Sequence, residues 1–221
     1  MQRYEESWRY VAPFAVLMAV LGLGHALELS PLYAYPVRTV VVAAVLLVCS
    51  RKLVRWKPSA PLASVLVGLG VFAVWVGVDL LWPGYRSHWL FTNSLSGPAH
   101  PDSVIQGGSL LYVLSRVGGS VLLVPVVEEL FWRAWLMRWL IAPHFEKVPL
   151  GTYRPAAFWV SALLFASEHG AFWDVGLAAG IAYNYWMIRT RSLADCILAH
   201  AVTNGVLAAY VLLAGKWQYW L

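Results

Sequence analysis

Apolar residues run in long blocks along this chain, separated by short polar breaks. A first block covers Tyr10 to Leu29, a Ser30-Pro31 turn follows, and a second covers Val37 to Cys49. Neither alternates with period 2 as a half-buried strand would, and both suit helices that are apolar all round. A third block runs from Pro61 to Trp82. The stretch from Pro83 to Asp102, rich in Gly, Pro, Ser and Asn, reads as a loop. Val104 to Leu140 contains one proline, Pro125, and as one helix would be roughly 55 Å long, more than a ~30 Å hydrocarbon core needs. Val104–Arg116 therefore reads as partly interfacial and Val117–Leu140 as the span. After a polar loop, Ile141 to Arg154, three further blocks follow: Pro155–Trp173, Val175–Ile188 and Leu193–Leu213. The expectation is an all-α integral membrane protein with about seven transmembrane helices. It forms a single membrane domain, 1–221, with accessory spans and an outer loop in 1–103 and core helices in 104–213.

Composition agrees. Hydrophobic residues make up 60% of the 221 residues and charged ones 12%, with mean hydropathy +0.64. A soluble domain this apolar could not cover its surface, so a cytosolic globular domain, a disordered chain and a disulfide scaffold are all excluded. Cys49 and Cys196 lie in apolar blocks and read as small buried hydrophobes.

The net charge of +5 reports orientation rather than nucleic-acid binding. With the N-terminus inside, one side collects Arg3 and Arg9, then Arg51, Lys52, Arg55 and Lys57, then Arg138, Lys147 and Arg154, then Arg189 and Arg191. The other side keeps Arg38, Arg86, Arg116 and Lys216. This predicts a cytoplasmic N-terminus and a C-terminus on the opposite side. The start of the chain, which carries Glu5 and Glu6 beside its arginines, reads as a retained span rather than a cleaved signal. Trp8, Trp56, Trp82, Trp89, Trp217 and Trp220 fall near predicted span ends, as interfacial anchors do.

Most acids and histidines lie in loops or at span ends. Asp79, Asp174 and Asp195 read as solvated; His25, His88, His100 and His144 resemble no site. The exceptions lie deep in spans: Glu128, Glu129 and Arg133 in VPVVEELFWRAWLMRW, His169 in LLFASEHG, and His200 and Asn204 in LAHAVTNG. An ionisable group inside a bilayer is costly and usually functional, so groups on three helices are expected to meet. Counted from the predicted span ends, Glu128 lies roughly 18 Å in, His169 roughly 21 Å, and His200 and Asn204 roughly 10 to 17 Å, one common layer. Glu129 and Arg133 stand four apart with the acid first, the favourable order for an ion pair. Glu128 points about 100° away and is free to face a cavity. His200 and Asn204 share one face. Tyr183, Asn184 and Tyr185 are candidates to line a cavity, and Gly118-Gly119 a point of close helix packing. Glu168 reads as a supporting acid or a helix-end residue facing water.

No HExxH, nucleophile elbow or phosphate loop is present. One Glu with two His matches a three-ligand zinc set. The same residues equally suit metal-free activation of water by a Glu and a His, with the remaining donors stabilising an oxyanion.

Taken together and in order, Glu128-Glu129-x-x-x-Arg133, Phe165-x-x-x-His169 and His200-x-x-x-Asn204 resemble the CAAX-protease and bacteriocin-processing (CPBP) family of intramembrane endopeptidases. The resemblance covers roughly residues 117 to 213, and the preceding spans look like its bacterial, CAAX prenyl protease-related branch. It implies a multi-pass protein of a bacterial inner membrane with the active site inside the bilayer. The substrate would be a membrane-anchored protein or peptide cut near its C-terminus; nucleic acid is not a partner. It further implies that Glu128 and His169 activate water, His200 and Asn204 bind the oxyanion, and Glu129 and Arg133 support the site. A metal-free mechanism is favoured because Asn is a poor zinc ligand but a good neutral donor; the zinc alternative uses Glu128, His169 and His200. Two further classes compete: a non-proteolytic scaffold or immunity-type protein of the same fold, and a small proton-coupled transporter. The transporter should show inverted repeats between the halves, and none is convincing.

Overall fold

The computed structural model describes residues 7–93 and 109–220. Arg3, Glu5, Glu6, His100 and the start of the Val104–Arg116 stretch lie outside the described residues. Among those described, seven long helices follow one another and there is no strand. They are α1 (Trp8–Ala26), α2 (Pro31–Cys49), α3 (Pro61–Leu81), α4 (Leu110–Trp139), α5 (Pro155–Ser167), α6 (Trp173–Thr190) and α7 (Leu193–Ala214). The order matches the apolar blocks.

Local chemistry sets the ends. Pro31, Pro61 and Pro155 each open a helix, where the missing N–H costs nothing. Ser109 caps α4 by accepting from Tyr112 N at 3.3 Å, and Ser192 caps α7 by accepting from Asp195 N at 3.3 Å. Gly215, at φ 64°, ends α7 in the left-handed region that glycine tolerates.

The protein is an all-α membrane protein. Its outward surface is apolar, with Leu213 88% and Leu62 74% exposed, while Glu129, Arg133, Asn184 and Asp195 are 0% exposed. That inversion is expected where lipid is the solvent and polar groups must be satisfied internally. Five helices, α1 to α4 and α7, are long and apolar enough to cross a membrane. The other two deviate for visible reasons. The block expected to reach Trp173 ends at Ser167, so α5 has only 13 residues, roughly 20 Å. It stops at Glu168-His169-Gly170, with Gly170 at φ 52°. In α6, Asp174, Asn184 and Arg189 dilute the apolar run.

Helices α3 and α7 pack closely and in parallel. A Cβ on Gly68 would stand 2.8 Å from Val202 Cβ, and Thr203 Oγ1 donates to the Gly68 carbonyl at 2.9 Å, the small-residue contact that lets membrane helices approach. Gly119 is close-packed as expected, with Thr39 Oγ1 3.0 Å from where its Cβ would be, but Gly118 has open space. Cys196 is buried, and Cys49 only partly.

Several span-end residues depart from expectation. Asp195 is not solvated. Its carboxylate accepts from Ser59 N at 2.6 Å, Ala60 N at 2.9 Å, Ser59 Oγ at 2.9 Å and Ser64 Oγ at 2.8 Å. It thus caps the N-terminus of α3 from a helix 131 or more residues away in sequence, satisfying orphan N–H groups and the positive end of the helix dipole. We expect Asp195→Ala to cost about 1–3 kcal/mol, the penalty for leaving such donors unmatched, and Asp195→Asn clearly less. Thermal unfolding in detergent checks this, and equal midpoints for wild type and Asp195→Ala would refute the cap.

Asp79 and Asp174 are likewise engaged. Both hold Arg86, at 2.9 and 2.8 Å, and Arg86 also donates to the Ala171 carbonyl at 2.7 Å. The loop after α3 is thereby pinned to α6. Trp220 is buried, at 6%, rather than part of an aromatic belt, and Arg116 is buried against it, donating to its carbonyl and lying 4.8 Å from its ring. The exposed Trp8, Trp56, Trp82 and Trp89 do suit the belt. The opposite end of the bundle is tied by Arg9, which donates to the Cys49 carbonyl at 3.2 Å, and by Arg138, which donates to the Val148 carbonyl at 3.2 Å.

Candidate active site

Glu128 and Glu129 lie in a regular α-helical turn of α4, Val124–Glu129, bracketed by two π-helical segments, Gly119–Leu123 and Leu130–Leu136. Such wide turns re-aim side chains and recur at functional sites. Here they hold two adjacent acids in the core, Glu128 at 7% exposure and Glu129 at 0%.

Glu129 is the hub. Its Oε1 accepts from Arg133 Nη1 at 3.1 Å and from His200 Nδ1 at 2.9 Å. Arg133 donates from Nε to Asn184 Oδ1 at 3.1 Å and from Nη2 to the Gly180 carbonyl at 3.5 Å, and lies 4.4 Å over the Phe165 ring. Asn184 in turn donates to the Phe158 carbonyl at 2.8 Å. One buried guanidinium and one carboxylate thus connect α4, α5, α6 and α7. Tyr185, expected beside Asn184 in a cavity wall, is 60% exposed instead, because it points about 100° away from Asn184 around α6.

A carboxylate can only accept, so His200 Nδ1 carries a hydrogen and, in the neutral ring, Nε2 is bare. That Nε2 lies 4.0 Å from Glu128 Oε2, an oxygen with no hydrogen-bond partner among the described residues. A separation beyond 3.5 Å between two polar groups leaves room for a bridging atom. The His200 ring stacks on Tyr183, with centroids 4.9 Å apart at 22°. Tyr183 is anchored by its hydroxyl donating to Thr203 Oγ1 at 2.7 Å.

His169 sits at the break after α5. Its Nδ1 lies 2.7 Å from the Phe165 carbonyl, which fixes the hydrogen there and leaves Nε2 bare. Phe165 touches both imidazoles, with centroids 4.7 Å from His169 and 6.1 Å from His200. Asn204 is held away from the Glu128–His200 pair: its Nδ2 donates to the Ser120 carbonyl in the first π segment, at 2.8 Å. So Glu128, Glu129, Arg133 and His200 form one contact network, His169 adjoins it through Phe165, and Asn204 stands one turn further along α7.

Three participants were not evident in the sequence. Trp75 of α3 packs edge-on against His169 at 5.4 Å. Trp132 Nε1 donates to Glu168 Oε1 at 3.0 Å, so that acid is tied to α4 rather than hydrated at a helix end. Gly176 supplies space, since a Cβ there would stand 3.0 Å from His169 Cγ. Gly176→Ala should therefore displace the imidazole. The ring must give by a few tenths of an ångström, so turnover should fall by less than the ~10²-fold that a 1 Å misplacement can cost, and overpacking should cost at most about 1–3 kcal/mol of stability. A lower single-turnover rate in a protein that is still folded is the expected pattern; unchanged turnover would remove His169 from the reaction.

The same donors bear on whether a metal could be held here. Both histidines have Nδ1 bound to an oxygen and Nε2 bare, a state that suits ligation as well as proton transfer. Yet among the described residues no group of three His, Cys, Asp or Glu side chains is arranged to hold a metal ion.

Residues 110–206, from the first turn of α4 through most of α7, match the family model described as type II CAAX prenyl endopeptidase Rce1-like. That stretch is similar to an Rce1-like domain. That similarity supports an intramembrane protease at family level. No curated protein and no solved structure matches the chain. The matched stretch contains every residue of the Glu129 network and both histidines; Trp75 and the Ser59–Ser64 partners of Asp195 come from outside it.

Proposed function

We propose that the protein hydrolyses a peptide bond near the C-terminus of a membrane-tethered substrate, using a glutamate-activated water and no metal. The observation that carries this reading is the buried, unpartnered Glu128 Oε2 facing His200 Nε2 across 4.0 Å, with His200 held from behind by Glu129. A general base must be desolvated, oriented and able to reach a proton; this carboxylate satisfies the first two, and a water between it and the imidazoles would satisfy the third.

In this reading Glu128, with His169 as second contact, takes a proton from the water as its oxygen attacks the carbonyl carbon. The resulting oxyanion accepts from the second Nδ2–H of Asn204, the one Ser120 does not hold, and from Nε2–H of a His200 that has taken a proton from solvent before the attack, its Nδ1–H still donating to Glu129. Glu128 returns the proton to the leaving nitrogen as the C–N bond breaks. Glu129 and Arg133 touch no reacting atom and act as positioning residues. The basic Arg9 end would face the cytoplasm.

The test is cleavage of tethered peptides by purified protein in lipid vesicles, with and without a strong chelator. Turnover that survives chelation supports the reading. Turnover lost to chelation and restored by zinc overturns the metal-free part, and no cleavage of any tethered peptide overturns the whole.

A further inference from the structure

A cavity adjoins the site. It occupies about 180 Å³ between α2, α4 and α7, under the C-terminal segment. Its floor includes Val124, one turn before Glu128, and Asn204, one turn after His200. Its far end holds Arg38 and Arg116, whose guanidiniums lie 4.0 and 4.4 Å over one Tyr35 ring.

The two arginines differ. Arg116 is already engaged by the Trp220 carbonyl and the Tyr112 hydroxyl. Arg38 lies within the apolar α2, is half-buried, and has no carboxylate partner among the described residues. A cation inside a membrane helix is costly, and where it faces a cavity its use is to meet an anion there. Its position suits the end of a peptide. From Arg116 to Glu128 is 12 residues of helix, roughly 18 Å, which an extended chain spans in about five residues.

We propose that this cavity receives the C-terminal end of the substrate and that Arg38 binds its free carboxylate. The proposal rests on the proteolytic reading above and deepens it. It makes Arg38 a specificity-determining residue and sets the cut within about five residues of the substrate's end. Tyr219 and Trp220, the latter buried on Arg116, line this end of the cavity and would shift to admit the peptide.

The experiment compares tethered peptides that differ only in ending as a free acid or an amide, in neutral phosphatidylcholine vesicles. A hydrogen-bonded charge predicts about a tenfold to hundredfold higher kcat/KM for the acid. Arg38→Gln should bring that ratio near one, and Arg38→Lys should keep most of it. Binding of both peptides to Glu128→Gln gives a readout without catalysis. An Arg38-dependent preference in binding, with no cleavage by wild type, would sink the proteolytic reading and leave this inference standing. Cleavage with no acid preference, or a preference that Arg38→Gln leaves intact, overturns this inference alone. Loss of the preference on adding phosphatidylglycerol would assign Arg38 to a lipid phosphate and also overturn it.

Discussion

Glu128→Gln stops hydrolysis of a tethered peptide while the protein stays folded and membrane-inserted. The two halves of this expectation have separate physical grounds. Glu128 Oε2 has no hydrogen-bond partner among the described residues, and His200 Nε2 lies 4.0 Å from it. Replacing it by an amide of the same shape therefore breaks no contact in the fold and removes a buried acid whose burial is unfavourable. The chemistry, by contrast, loses the group that takes a proton from water and returns it to the leaving nitrogen. A positioned general base contributes about 10²–10⁴-fold, so the loss in kcat should be at least that. Single-turnover cleavage alongside thermal unfolding reads both. Near-normal turnover would remove Glu128 from the reaction; a collapse in stability would make it structural instead.

Much of the architecture was legible in the pattern of apolar blocks, because in lipid a chain has few ways to satisfy its backbone and helices are the simplest. The Glu129–Arg133 pair was legible for the same reason, since two opposite charges four apart on a buried helix leave little alternative. What escaped depends on partners distant in sequence. Asp195 sits one turn into a helix, where an acid usually meets water, and nothing local says that its partners are Ser59, Ala60 and Ser64. Asp79 and Asp174 meet through Arg86 by the same kind of long-range closure. The π segments are a matter of hydrogen-bond register, which hydrophobic periodicity does not encode, and the first of them carries the Ser120 carbonyl that Asn204 meets. The end of α5 did have a signal: Ser-Glu-His-Gly is a poor continuation of an apolar helix, with glycine free to take the positive φ that turns the chain.

Arg133→Ala should act the other way round from Glu128→Gln, with stability failing first. It strips Glu129 of its cation and leaves Asn184 Oδ1 and the Gly180 carbonyl without their donor, all in a region of 0% exposure. Removing one partner of a buried pair costs about 3–5 kcal/mol, because the other charge stays buried without compensation. Lysine is no substitute: a single ammonium cannot serve Glu129, Asn184 and Gly180 at once as the planar guanidinium does. The decisive comparison is with Glu129→Gln added to Arg133→Ala. The double change removes both charges and keeps an amide oxygen able to accept from His200 Nδ1, so it should regain part of the lost stability. Thermal unfolding of the single and double variants measures the coupling. If Arg133→Ala is fully stable yet inactive, Arg133 touches the reacting atoms and is catalytic; if it is unstable and rescued by Glu129→Gln, it is the positioning residue that keeps His200 aimed at Glu128.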